Sequence, residues 1–370
     1  MNSFGKGISG NKTQLETLQK IYNSNKVPHA ILFSGLHGCG KFAVAMEFAL
    51  LANQKSILKN PSVQAKLTRL EEPFVKFIFQ LPRGKGELSD DLPFAKLSNE
   101  QIENIREELN KKIANPYYQM QIEKANNIKV TSIREIRKFL ANNYDDIETR
   151  FVIINDAHLM NAESQNALLK NLEEPPPGNI FILITHHKNY LLPTIKSRCW
   201  QIDFSPLSEK DVSDILVNRF EIDKQIADKV SHFSDGSVTQ AINLIENDFE
   251  YMIDSAITIL RYSLGRRYNT ALNKLNEILE NNGKVTFRFI LLMILKWLND
   301  VIRNKIANNN YYFSNHSETL IKFNKNFPKA DLQQISINIE KYISSMDNNV
   351  HLNVISANVI FELATIAIRK

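Results

Sequence analysis

The chain has 370 residues, a formal net charge of +5 and 43% hydrophobic residues. That length and hydrophobic content suit two or three folded domains and exclude a disordered protein. The apolar runs are too short to span a membrane, and two cysteines, Cys39 and Cys199, provide neither a disulfide framework nor a cysteine-based zinc module. We therefore expect a cytoplasmic protein without zinc. Its mild positive charge permits contact with nucleic acid but does not require it.

A phosphate-binding loop is predicted near the N-terminus. After an amphipathic helix over 11–23, the apolar run 30–33 predicts a buried strand, and a helix is predicted over 42–51. Glycines in the turn between them would let backbone N–H groups approach phosphates, and a lysine would reach the terminal phosphates. The candidate nucleotide-binding residues of this turn are Gly35, Gly38, Gly40 and Lys41.

The residue after the loop lysine departs from the nucleotide-binding pattern. An active loop has Ser or Thr there, and its hydroxyl holds magnesium. This chain has Phe42, whose ring offers no oxygen and crowds the metal position. We expect the loop to persist as a structural turn that has lost its chemistry.

The segment between 53 and 127 gives weaker signals. The stretch 73–81 predicts a strand, and a charged amphipathic helix is predicted over about 99–114. Apolar residues share one face of that helix, which predicts that it packs on the domain. They are Ile102, Ile105, Leu109 and Ile113.

A further helix is predicted to begin at Ser132, with Glu135 completing a capping box. Three basic residues, Arg134, Arg137 and Lys138, lie on its predicted solvent side. Such clusters are usually only solvated.

The run from Phe151 to Gln201 contains the most specific motifs. An apolar strand over 151–154 is followed at once by Asn155 and Asp156, where a ligand would lie beyond the carboxyl end of a parallel strand. A helix over 162–174 is stopped by three prolines. A second buried strand follows over 181–184, and Pro193 suits the first turn of a short helix that carries Ser197, Arg198 and Cys199 outward.

Two sequences in this run, Asn-Ala-Leu-Leu-Lys-Asn-Leu-Glu-Glu-Pro-Pro-Pro and Ser-Arg-Cys, resemble motifs of the clamp-loader ATPases of the replicative DNA polymerase. The resemblance covers roughly residues 8–245 by motif. It implies an α/β fold, with an AAA+ (RecA-like P-loop) parallel-sheet domain in 1–206. A small helical lid over 207–248 and an all-α collar over 249–370 would follow, the collar joining subunits into a ring.

Three positions depart from the active members of that family. An Asp that places magnesium and a Glu that polarises water correspond here to Asn155 and Asp156. An amide is a poor magnesium ligand beside a carboxylate. Thr239 stands where active relatives place a nucleotide-sensing arginine. Together with Phe42, these changes resemble the delta-prime subunits of bacterial DNA polymerase III, and they imply a degenerate site without ATP or magnesium chemistry.

The resemblance also implies a role for Arg198 of the Ser-Arg-Cys motif. In the family this arginine acts in trans on the ATP of a neighbouring subunit. The implied partners are gamma/tau and delta subunits in a hetero-oligomeric ring, with the sliding clamp and primed DNA reached through the assembly. The helix with Arg134, Arg137 and Lys138 would face that DNA. The alternative is a gamma/tau-like subunit that itself binds and hydrolyses ATP.

Overall fold

The fold is taken from a computed structural model. It describes residues 5, 8–88, 90–141, 144–306, 311–314, 317–346 and 350–368. The chain divides into two compact units, residues 1–241 and 242–370. Most of the predicted lid, residues 207–241, belongs to the first unit. The three-domain boundaries stay a prediction.

A five-stranded parallel sheet forms the centre of the first unit, in the order β2-β3-β4-β1-β5. The predicted strands are confirmed, although β2 is shorter than the predicted 73–81. Strand β5 was not predicted; it is an edge strand that buries only alternate residues. The bounds are β1 Ala30–Gly35, β2 Val75–Ile78, β3 Arg150–Ile154, β4 Asn179–Thr185 and β5 Trp200–Phe204.

Helices cover both faces of this sheet, which explains the continuous apolar runs of its central strands. On one face Leu32, Val152 and Phe181 are fully buried against α6 and α7. On the other face the ring of Phe48 in α2 packs against Phe151, with centroids 6.1 Å apart. The helices that precede β5 in the chain are α1 Lys12–Asn23, α2 Lys41–Ala52, α3 Gln54–Lys59, α4 Ser62–Thr68, α5 Asn99–Ala114, α6 Val130–Ala141, α7 Ala162–Glu173 and α8 Pro193–Lys196.

The observed starts of α5 and α6 can be compared with the starts that the sequence predicts. The predicted helix over 99–114 is confirmed as α5, and a capping box between Ser98 and Gln101 fixes its start. Its Ile105 is buried against Phe79, as the predicted apolar face requires. The predicted start of α6 at Ser132 is wrong, because the helix begins at Val130 and the Ser132 hydroxyl is buried inside it without a hydrogen-bond partner among the described residues.

The remaining helices confirm the helical character of the C-terminal third. In the second unit, Gly283, with φ 78°, interrupts α13. Within the described residues no helix has the length and apolarity needed to cross a membrane. The bounds are α9 Glu209–Phe220, α10 Lys224–Phe233, α11 Val238–Glu246, α12 Phe249–Leu264, α13 Tyr268–Lys305, α14 Ser317–Asn326, α15 Leu332–Ser345 and α16 Leu352–Ile368.

Candidate functional site

The glycine-rich loop connects β1 to α2, at the carboxyl edge of the sheet. Gly38 and Gly40 have φ angles of 77° and 95°, which side chains with a β-carbon rarely adopt. A β-carbon on Gly38 would also overlap the hydroxyls of Ser237 and Thr239. The backbone N–H of Val238 donates to the carbonyl of Gly38 over 3.0 Å. The loop is therefore packed directly against the start of α11.

The loop lysine is bound within its own loop. The Nζ atom of Lys41 donates to the carbonyls of Gly35, at 2.8 Å, and Leu36, at 2.5 Å. Its side chain is 5% exposed, and burial lowers its pKa. In this arrangement the ammonium group satisfies backbone carbonyls in place of phosphate oxygens.

Phe42 belongs to the hydrophobic core. It is 6% exposed, and its ring lies 5.6 Å from that of Phe77 in an edge-on arrangement. The Nζ atom of Lys112, from α5, lies 4.5 Å from the centroid of the Phe42 ring, within the range of a cation–π contact. Phe42, at the position where an active loop has a magnesium-binding hydroxyl, thus packs against residues of the 53–127 segment.

Residues 116–119, which follow α5, lie over the glycine-rich loop and form the covering segment. Lys112 donates to the carbonyls of Pro116, at 2.9 Å, and Tyr118, at 2.8 Å, and burial lowers its pKa to about 8. Tyr117 is buried, and its carbonyl accepts a hydrogen bond from Thr239 Oγ1 over 2.5 Å. Thr239, which stands where active relatives place a sensor arginine, is therefore hydrogen-bonded to the covering segment.

These side chains leave a small cavity. Its volume is about 30 Å³. It is bordered by the glycine-rich loop, the covering segment, Asn155 and Asp156. One water needs about 10–15 Å³, so this space is enough for about two waters. The structure brings together all the residues predicted for the degenerate nucleotide site.

Asn155 and Asp156 follow β3 as predicted, but they contact each other. Asn155 Nδ2 donates to Asp156 Oδ2 over 2.8 Å, and Asp156 Oδ1 lies 3.4 Å from Nδ1 of His186. Burial acts to raise the pKa of Asp156, but the hydrogen bond from His186 and the proximity of His37 outweigh it and lower the pKa to about 2. The carboxylate is therefore ionised at neutral pH.

Four histidines surround this carboxylate, and sequence reasoning missed their proximity. His37 comes from the loop, His158 follows β3, and His186 and His187 follow β4. Burial lowers the pKa of His37 to about 3 and that of His158 to about 4, so both imidazoles are neutral at pH 7. One available signal was that each histidine comes within four residues of the end of a predicted buried strand.

Arg198 lies at the opposite edge of the sheet. It sits between α8 and β5, and β5 runs parallel to β1, so roughly 15 Å of strand separates it from the glycine-rich loop. Its guanidinium donates to Glu173 Oε1 over 2.7 Å and to the carbonyl of Thr194 over 3.1 Å. The side chain is 35% exposed, and Arg198 follows the short helix instead of lying on it.

The three basic residues of α6 are exposed as predicted, but they differ in their surroundings. Arg134 pairs with Asp90 and with Glu163, each over 3.1 Å. These two carboxylates offset its charge. Arg137 and Lys138 lie on the same solvent side.

A P-loop between β1 and α2, an acidic position after β3 and the helices α9–α11 define an AAA+ domain. The chain belongs to the family described as "DNA polymerase III, delta subunit", whose model matches residues 10–208. This confirms the clamp-loader family that the motifs indicated.

Relatives within the family include several kinds of subunit. The chain is 27% identical to DNA polymerase III subunit tau of Bacillus subtilis over 81% of this chain and 50% of that protein. It is 31% identical to subunit delta' of the same organism over 33% of this chain and 36% of that protein. A solved gamma subunit-related protein of Thermotoga maritima aligns with a TM-score of 0.48 at 15% identity, covering 95% and 99% of the two chains. The chain spans about half the length of the curated gamma and tau relatives that it matches.

Proposed function

We propose that the chain is a clamp-loader subunit of the delta-prime type that does not hydrolyse ATP. The observation that supports this most strongly is the filled P-loop. Lys41 is bound to loop carbonyls, Phe42 is core, and the covering segment leaves room for about two waters. Phosphoryl transfer depends almost wholly on positioned metal and positive charge, and Asn155 with Phe42 removes two magnesium positions.

The test is equilibrium binding of a fluorescent ATP analogue to the full chain, with and without magnesium, beside ATP turnover. We expect no saturable binding and no turnover above background. The control is the Lys41→Ala variant, which should behave like the parent. Binding or turnover in the parent that Lys41→Ala abolishes would overturn the proposal.

We further propose that Arg198 acts in trans as an arginine finger on the ATP of a neighbouring subunit. Its place at the amino edge of the sheet, away from this chain's own loop, supports this, as does its partial exposure. A guanidinium that neutralises charge on the γ-phosphate contributes about 10³–10⁵ in rate.

The experiment is reconstitution of the ring from purified subunits, with assembly followed by gel filtration and ATP turnover measured in parallel. Arg198→Ala should assemble normally and lose much of the turnover stimulated by DNA and clamp. Arg198→Lys should lose most of it too, because lysine lacks the planar donor fork. Lys196→Ala, which removes a neighbouring charge, should keep full activity. A fully active Arg198→Ala ring would refute the finger.

A second candidate function is that of an active gamma/tau-like ATPase. The longer matches to gamma and tau subunits than to delta' favour it. The ATP-binding experiment separates the two, because an active subunit must bind nucleotide before it hydrolyses it.

Contact with primed DNA is proposed for the α6 surface. Arg137 and Lys138 are its main candidates, since acidic neighbours offset Arg134. In the reconstituted ring, an Arg137→Ala, Lys138→Ala double variant should weaken DNA binding and lower its salt dependence. Arg134→Ala should have the smaller effect. Unchanged binding by the double variant would remove α6 from the DNA path.

A further inference from the structure

The carboxyl edge of the sheet gathers four of the chain's eight histidines around one carboxylate. The ring centroid of His186 lies 4.1 Å from that of His158, 4.4 Å from that of His187 and 5.4 Å from that of His37. Hydrophobic packing does not require imidazoles in such numbers at one point. Neutral imidazole is the commonest metal ligand in proteins.

One carboxylate oxygen and two imidazole nitrogens lie close enough together to share a metal ion. The ligand atoms of Asp156, His158 and His186 are all within 4.8 Å of one another, and Asp156 Oδ1 is 3.4 Å from His186 Nδ1. Around zinc, bonds of about 2.0–2.1 Å place tetrahedral ligand atoms about 3.3 Å apart. The ligand atoms would have to approach one another by at most about 1.5 Å to reach that geometry.

We propose that Asp156, His158 and His186 bind a divalent transition metal ion of the zinc class. Two imidazoles and one carboxylate form a three-ligand set that leaves a fourth position open. His37 borders the same cavity as Asp156 and His186 and is a further candidate ligand. This proposal stands whether or not the chain hydrolyses ATP.

Neighbouring residues hold these ligands in place. Asn155 Nδ2 binds Asp156 Oδ2 and leaves Oδ1 on the side of His186. Thr185 Oγ1 lies 3.3 Å from His158 Nδ1 and accepts from the backbone N–H of His187 at 3.0 Å. Such outer contacts orient ligands and raise metal affinity about 10–100-fold. Asn155, a poor ligand for magnesium, thus acquires a positioning role.

The types of ligand, and not the surrounding charge, select against magnesium. The ammonium groups of Lys41 and Lys112 interact with Asp156 and disfavour any cation there. Magnesium depends on charged oxygen ligands and the site has one carboxylate, whereas zinc gains from imidazole nitrogen. This departs from the sequence-based expectation of no zinc, which considered only the two cysteines.

The test is titration of the full, metal-stripped chain with Zn²⁺, and separately with Mg²⁺, by isothermal calorimetry. We expect one Zn²⁺ per chain and no Mg²⁺ binding at the same concentrations. Co²⁺ as a spectroscopic probe should give the visible bands of a low-coordinate nitrogen–oxygen site. Zn²⁺ should displace it.

Variants locate the site. His158→Gln, His186→Gln and Asp156→Asn should each weaken Zn²⁺ binding at least tenfold, with circular dichroism and thermal unfolding confirming the fold. The matched control is His232→Gln, because His232 forms a histidine–carboxylate pair elsewhere, 2.9 Å from Glu209. Absence of stoichiometric Zn²⁺ binding by the parent would overturn the proposal. So would equal loss in His232→Gln, or Mg²⁺ binding as tight as Zn²⁺ binding.

Discussion

Replacing Phe42 by alanine should destabilise the first unit by about 3–5 kcal/mol. The ring is 6% exposed, packs against Phe77 and lies under the Lys112 ammonium. Replacing a buried phenylalanine by alanine costs about 3–5 kcal/mol of stability. The lost cation–π contact accounts for about 0.5–2 kcal/mol of this loss, and the lost transfer energy and the cavity account for the rest. In an active P-loop this position carries a small hydroxyl residue, so a large loss of stability would show that the position has changed from metal ligand to core.

The measurement is urea unfolding followed by the fluorescence of Trp200, in a Trp297→Phe background. The chain has two tryptophans, and Trp297 lies in the second unit, so this background reports on the first unit. With a denaturant slope of about 3 kcal/mol per molar, the midpoint should fall by about 1–2 M. Phe42→Leu should cost less than Phe42→Ala, because most of the apolar volume remains even though the cation–π contact is lost.

Leu36→Ala provides the control, since Leu36 is in the same loop but 40% exposed. A loss for Phe42→Ala no larger than that for Leu36→Ala would refute the core assignment. Phe42→Ser should bind no ATP, because Tyr117 and Lys112 still fill the site. Magnesium-dependent ATP binding by Phe42→Ser would show that a single side chain, and not the covering segment, closes the site.

Three further outcomes are expected. Glu173→Gln should leave thermal stability unchanged, because a half-exposed ion pair contributes about 0–1 kcal/mol. It should nevertheless lower ring ATP turnover, though less than Arg198→Ala does, and unchanged turnover would show that Glu173 does not position the guanidinium. Burial raises the pKa of Cys39 and raises that of Cys199 to about 12, so a disulfide reagent at pH 8 should label both thiols slowly in the native protein and rapidly in urea. Rapid native labelling would contradict their burial. Burial lowers the pKa of Lys112 from 10.5 to about 8, so the folded state binds fewer protons between those values and its stability rises with pH there. From pH 7 to 9.5 the parent should gain about 2 kcal/mol relative to Lys112→Met, and equal urea midpoint shifts would contradict this.

Local patterns in the sequence determined much of this protein. Central strands of a parallel sheet are buried on both faces, so their apolar runs were readable without knowledge of neighbours. The glycine-rich loop and the range of α5 depend on contiguous residues, and each lies where the sequence predicted. The replacement of a magnesium ligand by Phe42 was also visible, because the pattern of the loop fixes that position.

The tertiary structure alone decided what occupies the nucleotide site. Lys112 and Tyr117 lie about 70 residues beyond the loop in sequence, and no periodicity predicts that they cover it. Ser132 satisfied a capping rule but is buried inside a helix, since tertiary packing overrode the local signal. His37, His158 and His186 meet because parallel strands bring their carboxyl ends to one edge, whatever the distance along the chain. Contacts between such distant side chains depend on the order of the strands in the sheet, which local sequence patterns do not predict.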